Sequence, residues 1–172
     1  VGGPVQPGRD CYQHRNADAE LFRRISDGEY CHVLAQRQTG KTSLAASTAL
    51  KLRERGTLVA MVDLTQISSE DPSENVGRWY YSIAYRIVRE LRIRADVQSW
   101  WKERGGLTNL QRMREFFTEI VLQETTQPIA ILFDRIEATK DEPLAQDLFS
   151  AIRACYDARI TDSVFQRLSI SI

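Results

Sequence analysis

The sequence is poor in cysteine and histidine, and it has no excess of charge of either sign. Its 172 residues include three Cys and two His, with 23 Lys+Arg against 23 Asp+Glu. The cysteines are widely spaced and form no CxxC pair, which argues against a disulfide framework or a zinc site and favours free thiols in a reducing cytoplasm. The zero net charge argues against a nucleic-acid partner bound through bulk electrostatics.

Long apolar runs are also missing. No stretch of about 18 apolar residues is present, so we expect no membrane span. Residues 1–10 contain three Gly and two Pro and show no basic segment followed by an apolar one, which argues against a signal peptide. Because 42% of the residues are apolar, the composition is globular, and we expect an N-terminal arm at 1–15 and one domain at 16–172.

Short apolar strands alternate with amphipathic helices along the chain. A first helix is predicted at 16–26, a second at 41–55, and others at 76–91, from 109 onwards and from Pro143 onwards, while residues 96–106 form a polar connection. Strands are predicted at 30–35, 58–63, 129–134 and 165–172. The strands are apolar on both faces, as in a parallel sheet that is covered by helices. The pattern predicts an α/β fold with a mainly parallel sheet.

The most specific motif is a phosphate-binding loop between the first predicted strand and the second predicted helix. Its Gly-Lys-Thr half is intact at Gly40, Lys41 and Thr42, whereas Ala35 stands where the full pattern has Gly. The helix N-terminus offers unpaired N–H groups to phosphate, Lys41 would bind the β and γ phosphates, and Thr42 would ligate Mg²⁺. The predicted nucleotide-binding residues are Arg37, Gln38, Thr39, Gly40, Lys41, Thr42 and Ser43.

An acidic residue ends a predicted buried strand. P-loop proteins have a carboxylate at such a position, and it helps to hold Mg²⁺ beside the loop. Asp134 directly follows the apolar stretch 129–133, and ligands of open parallel sheets bind beyond the carboxyl ends of the strands. We therefore predict Thr42 and Asp134 as the metal residues. Asp63 ends another strand and is an alternative, although a cap of the following loop is the favoured interpretation.

The residue after Asp134 bears on hydrolysis. Many ATPases have a Glu there that acts on the attacking water, but this chain has Arg135, which cannot be a general base because its pKa exceeds about 12. Glu137 is the remaining candidate for a catalytic residue, and a solvated or salt-bridged Glu137 is the alternative. Whether the chain is an enzyme therefore stays open at this point.

Several motifs together resemble the AAA-like domain of bacterial, notably cyanobacterial, STAND-type signalling ATPases. They include Cys11-Tyr12, Leu34-Ala35, the stretch 37–44 and Phe133-Asp134. Further matching positions are His14-Arg15, Ala17-Asp18, Leu21-Phe22, residues 28–31, residues 62–65, Trp79-Tyr80, Trp100-Trp101 and residues 151–156. The resemblance covers nearly the whole chain. Two departures are Gln36, where the family usually has Pro, and Arg135, where it usually has Glu.

The resemblance implies a three-layer P-loop NTPase fold of the ASCE class, with strand order 5-1-4-3-2 and ATP with Mg²⁺ as ligand. It also implies that residues 16–172 stop before the family's fifth strand and lid, and that neighbouring domains complete a larger protein. We expect a nucleotide-dependent regulatory switch or assembly module, with a homo-oligomer left open. The alternatives are an active ATPase that uses Glu137 or an external base, and a nucleotide-free interaction module with a vestigial loop.

Overall fold

In the computed structural model, the described residues are 16–33, 40–67, 76–138 and 142–172. They form an α/β fold whose strands are parallel. The helices are α1 (Asn16–Ser26), α2 (Lys41–Glu54), α3 (Val76–Leu91), α4 (Val97–Glu103), α5 (Asn109–Phe116) and α6 (Glu142–Ala158). The strands are β1 (Leu58–Asp63), β2 (Ile129–Asp134) and β3 (Leu168–Ser171). Short 3₁₀ turns follow β1 and β2 and precede β3, and a π-helical turn follows α5.

The sheet has β2 in its middle, with β1 and β3 as parallel neighbours. A further segment pairs with β3 on its other side, because Cys31 forms a parallel bridge with Ser171 and the Val33 N–H donates to the Ile172 carbonyl. The order is therefore 31–33, β3, β2, β1. This order agrees with 1-4-3-2 of the expected arrangement, which places the strand before the phosphate-binding loop next to the last strand.

Helices cover both faces of the sheet, as the apolar character of the strands predicts. On one face, Ala60, Ile131 and Phe133 pack with α3, α4, α5 and α6 in the larger core cluster. On the other face, Val59 and Leu132 pack with α1 and α2. Neighbouring strand residues thus enter opposite cores, which is the period-two alternation of a strand that is buried on both sides. The predicted three-layer α/β class is confirmed.

Three predicted elements differ from the structure. Of the strand expected over 30–35, the described residues 30–33 show an isolated bridge at Cys31, and residues 34–35 lie outside the described part of the chain. Residues 97–103, expected to be part of a polar connection, form α4, because Asp96 caps the first turn and Val97 and Trp101 are buried one turn apart. The last strand, expected over 165–172, begins only at Leu168, since Asp162 accepts from the Val164 N–H and starts a 3₁₀ turn over Ser163–Arg167. Phe165 is nevertheless buried in the core from that turn.

Candidate functional site

The N-terminus of α2 lies beside the carboxyl end of β2. Gly40 precedes α2 with a φ of 86°, and its carbonyl accepts from the Leu44 N–H at 2.9 Å. A left-handed φ costs glycine little because it has no Cβ, so the chain can turn sharply into the helix here. Of the predicted loop residues, Gly40, Lys41, Thr42 and Ser43 are described. Arg37, Gln38 and Thr39 lie outside the described residues.

Thr42 and Asp134 are in direct contact. The Thr42 Oγ1 donates to Asp134 Oδ2 at 2.7 Å, although 92 residues separate the two in sequence. The Asp134 side chain is only 10% exposed, so the carboxylate faces the helix terminus rather than bulk water. A hydroxyl and a carboxylate at this separation are oxygen ligands of the kind that Mg²⁺ prefers.

Lys41, the first residue of α2, reaches the turn that follows β2. Its Nζ lies 3.1 Å from Glu137 Oε1, and the two side chains are 26% and 36% exposed. Glu137 belongs to the 3₁₀ turn Ile136–Ala138. The structure therefore brings Glu137 to Lys41, the lysine that the sequence predicts to bind phosphate.

Arg135 forms a second ion pair at the same edge of the sheet. Its Nη1 lies 3.2 Å from Asp63 Oδ2, and its Nε lies 4.0 Å from Asp134 Oδ2. Asp63 and Asp134 are register partners on β1 and β2, so two carboxylates end neighbouring strands. The guanidinium of Arg135 offsets their repulsion.

Asp63 is also the cap of the turn after β1. It accepts from the Thr65 N–H at 3.0 Å, the Thr65 Oγ1 at 2.6 Å and the Gln66 Nε2 at 3.2 Å. This agrees with the cap interpretation. The ion pair with Arg135 was not predicted, although the placement of an acid at the ends of two adjacent strands and a base after one of them was a usable signal.

A cleft of about 120 Å³ lies at this edge of the sheet. Lys41, Asp134, Arg135 and Glu137 line it together with apolar side chains such as Leu44 and Ile172. Cationic and anionic groups therefore converge on one concave surface beyond the carboxyl ends of parallel strands, where ligands of such sheets bind.

Neither an all-protein metal cluster nor a membrane helix is found in the described part of the chain. Residues 16–33, 40–67, 76–138 and 142–172 hold no group of three or more His, Cys, Asp or Glu able to bind a metal ion. None of the described helices is both long enough and apolar enough to cross a bilayer.

Comparison with known proteins relates this arrangement to a family. A family model described as an AAA-like domain matches residues 2–172. An uncharacterized WD repeat-containing protein of Synechocystis sp. is 33% identical to the chain over 177 residues. That alignment covers 100% of this chain and 14% of the relative, so the chain spans about one seventh of that protein. No solved structure matches the chain.

Proposed function

Because the chain belongs to the family of AAA-like domains, we propose that it binds ATP with Mg²⁺ and acts as a nucleotide-dependent switch within a larger protein. The observation that carries the proposal is the 2.7 Å contact between Thr42 and Asp134 beside Lys41. It joins the helix N-terminus, where phosphate binds well, to a carboxylate that a bound metal requires.

The residues of the site have separate proposed roles. Backbone N–H groups at the start of α2 would donate hydrogen bonds to phosphate oxygens, and the helix dipole would favour the negative charge. The ammonium of Lys41 would bind the β and γ phosphates, and Ser43, which is buried just inside the helix, would support the loop. Thr42 and Asp134 would hold Mg²⁺, which supplies charge neutralisation to the phosphates when bound.

The residues around Asp134 support a switch role rather than rapid turnover. Arg135 stands where a general base is expected, and its guanidinium is paired with Asp63. The Glu137 carboxylate forms an ion pair with the Lys41 ammonium, so it does not stand free to act on a water molecule. The relative's length and WD repeats support the proposal that the domain works beside other domains of one protein.

Calorimetric titration tests the binding step. We expect the chain to bind Mg-ATP and the Lys41→Ala variant to bind it about 10- to 100-fold more weakly, because a charged hydrogen bond to phosphate contributes roughly 1.5–3 kcal/mol. Lys102→Ala is a matched control on the exposed side of α4 and should bind as the unmodified chain does.

Two results would contradict the binding proposal. One is the absence of Mg-ATP binding by the unmodified chain and by every variant, and the other is equal binding after Lys41→Ala. A phosphate-release assay on the same samples separates a switch from an ATPase. The switch predicts slow release with tight binding, and fast steady-state release by the chain alone would identify an active ATPase.

A further inference from the structure

The proposed phosphate-binding lysine already has an anionic partner. The Lys41 ammonium lies 3.1 Å from the Glu137 carboxylate, a contact that joins residues 96 positions apart. Both side chains are partly shielded from water, at 26% and 36% exposure, so the attraction is stronger than between fully exposed groups. The pair lies in the cleft that Asp134 and Arg135 also line.

A phosphate and the Glu137 carboxylate require the same donors. An ammonium group has three N–H donors on a compact charge, and a carboxylate on one side of it occupies the position that a phosphate oxygen would approach. Glu137 and Asp134 would also repel a polyphosphate that entered the cleft, unless a cation or a movement of Glu137 offset the repulsion. Mg²⁺ can offset the negative charge of Asp134. The Glu137 carboxylate, in contrast, is paired with the lysine that the phosphate would bind.

We propose that Glu137 is an intramolecular competitor of nucleotide phosphate for Lys41. In the nucleotide-free chain the Glu137 carboxylate is paired with the Lys41 ammonium, and a bound polyphosphate displaces the carboxylate. This inference rests on the proposed function, since it concerns the same site. It makes Glu137 an affinity-setting residue that lowers the binding of nucleotide phosphate.

The backbone on either side allows the displacement to stay local. Arg135, two residues earlier, is anchored to Asp63 and has a left-handed φ of 60°, so the strand end is fixed by its own ion pair. Glu137 belongs to a three-residue 3₁₀ turn, Ile136–Ala138, and such short turns have weaker hydrogen-bond geometry than α-helices. The carboxylate can therefore leave Lys41 while Asp134 keeps its contact with Thr42.

The test is the affinity of a Glu137→Gln variant for Mg-ATP and for Mg-pyrophosphate, measured by calorimetry on the full chain. The amide keeps the shape of the side chain and removes its charge. We expect binding to become about 3- to 30-fold tighter, from the loss of a partly shielded ion pair and of the repulsion. Glu103→Gln, at a side chain that is 73% exposed on α4, is the matched control and should leave affinity unchanged.

Each outcome has a distinct consequence. Tighter binding by Glu137→Gln supports the inference, also when the unmodified chain binds too weakly to measure. Equal or weaker binding by Glu137→Gln, while the unmodified chain binds Mg-ATP, overturns the inference and leaves the proposed function standing. If neither chain binds nucleotide or pyrophosphate, the proposed function fails, and this inference fails with it. Thermal melting of both variants shows whether the fold is kept.

Discussion

At the scale of single residues, the site is a set of alternating charges rather than one catalytic group. Lys41 pairs with Glu137, and Arg135 pairs with Asp63 and approaches Asp134. Each ion pair joins groups from separate segments of the chain, so each depends on the sheet being formed. The carboxylates of neighbouring strands are tolerated because a cation lies beside each of them.

The buried thiol of Cys155 on α6 should make the stability of the chain depend on pH. Burial raises the pKa of this thiol to about 12, and the nearby Arg114 offsets only part of that rise. The pKa of an exposed thiol is about 9, so from pH 9 upwards the unfolded chain loses this proton and the folded chain keeps it. The unfolded state then binds fewer protons, and stability falls as pH rises. We expect the thiol to cost about 2 kcal/mol of unfolding free energy by pH 10.5.

Urea denaturation at several pH values between 8 and 10.5 measures this effect. The Cys155→Ala variant should be less stable at pH 8, because it leaves a cavity, but should lose less stability as the pH rises. Ile152→Val, a neighbouring cavity variant on α6, has no ionisable group and should keep the slope of the unmodified chain. Parallel slopes for Cys155→Ala and the unmodified chain would contradict the buried-thiol account.

At the scale of elements, the ends of the helices follow rules that the sequence shows clearly. Gly28 and Gly56 end α1 and α2 with φ values of 79° and 82°, as their positions predict. Thr108 and Gln111 form the capping box of α5. The end of α3 differs, because Arg92 occupies the left-handed position with a φ of 57°, and the Ile93 N–H donates to the Val88 carbonyl to close the turn.

Arg92→Gly should therefore stabilise the chain. A side chain in the left-handed region costs about 1–2 kcal/mol, and glycine removes that cost. Because glycine also makes the unfolded chain more flexible, part of this gain is lost, and we expect the free energy of unfolding to rise by about 0.5–1 kcal/mol. Chemical denaturation measures it. Arg89→Gly, three residues earlier inside α3, is the control and should destabilise by about 1 kcal/mol. A loss of stability in Arg92→Gly would show that the arginine side chain contributes more than its backbone strain costs.

The elements that sequence reasoning missed are those whose formation depends on tertiary burial. Residues 97–103 are polar at Gln98, Ser99, Lys102 and Glu103, and α4 forms because Val97 and Trp101 both enter the core. An acidic cap with an apolar pair four residues apart was the available signal. After α5, the helix widens into a π-helical turn at Phe117–Val121, which periodicity alone does not distinguish from continued α-helix.

At the scale of the whole molecule, local patterns predict the layers and the edge that carries the candidate site, but they do not predict which groups pair with Arg135 and Glu137. The apolar strands and the loop before α2 already place Lys41, Thr42 and Asp134 at one edge of a parallel sheet. The partners of Arg135 and Glu137 depend on which strands are neighbours and on a left-handed backbone at Arg135. Both are set by packing across the chain, so no short sequence window contains them.

The Thr42–Asp134 contact is expected to couple the N-terminus of α2 energetically to the end of β2 in the absence of ligand, and a double-mutant cycle tests this. In a double-mutant cycle, Thr42→Val and Asp134→Ala should show a coupling of about 1.5–3 kcal/mol in unfolding free energy, because a hydroxyl donates to a carboxylate in a shielded place. Thr42→Val combined with Asp157→Ala, in the last turn of α6, should be additive within about 0.5 kcal/mol. Additivity of the first pair would mean that the contact contributes little to the fold, and that the apolar packing of α2 residues such as Ala49 and Leu52 against the sheet holds α2 to β2.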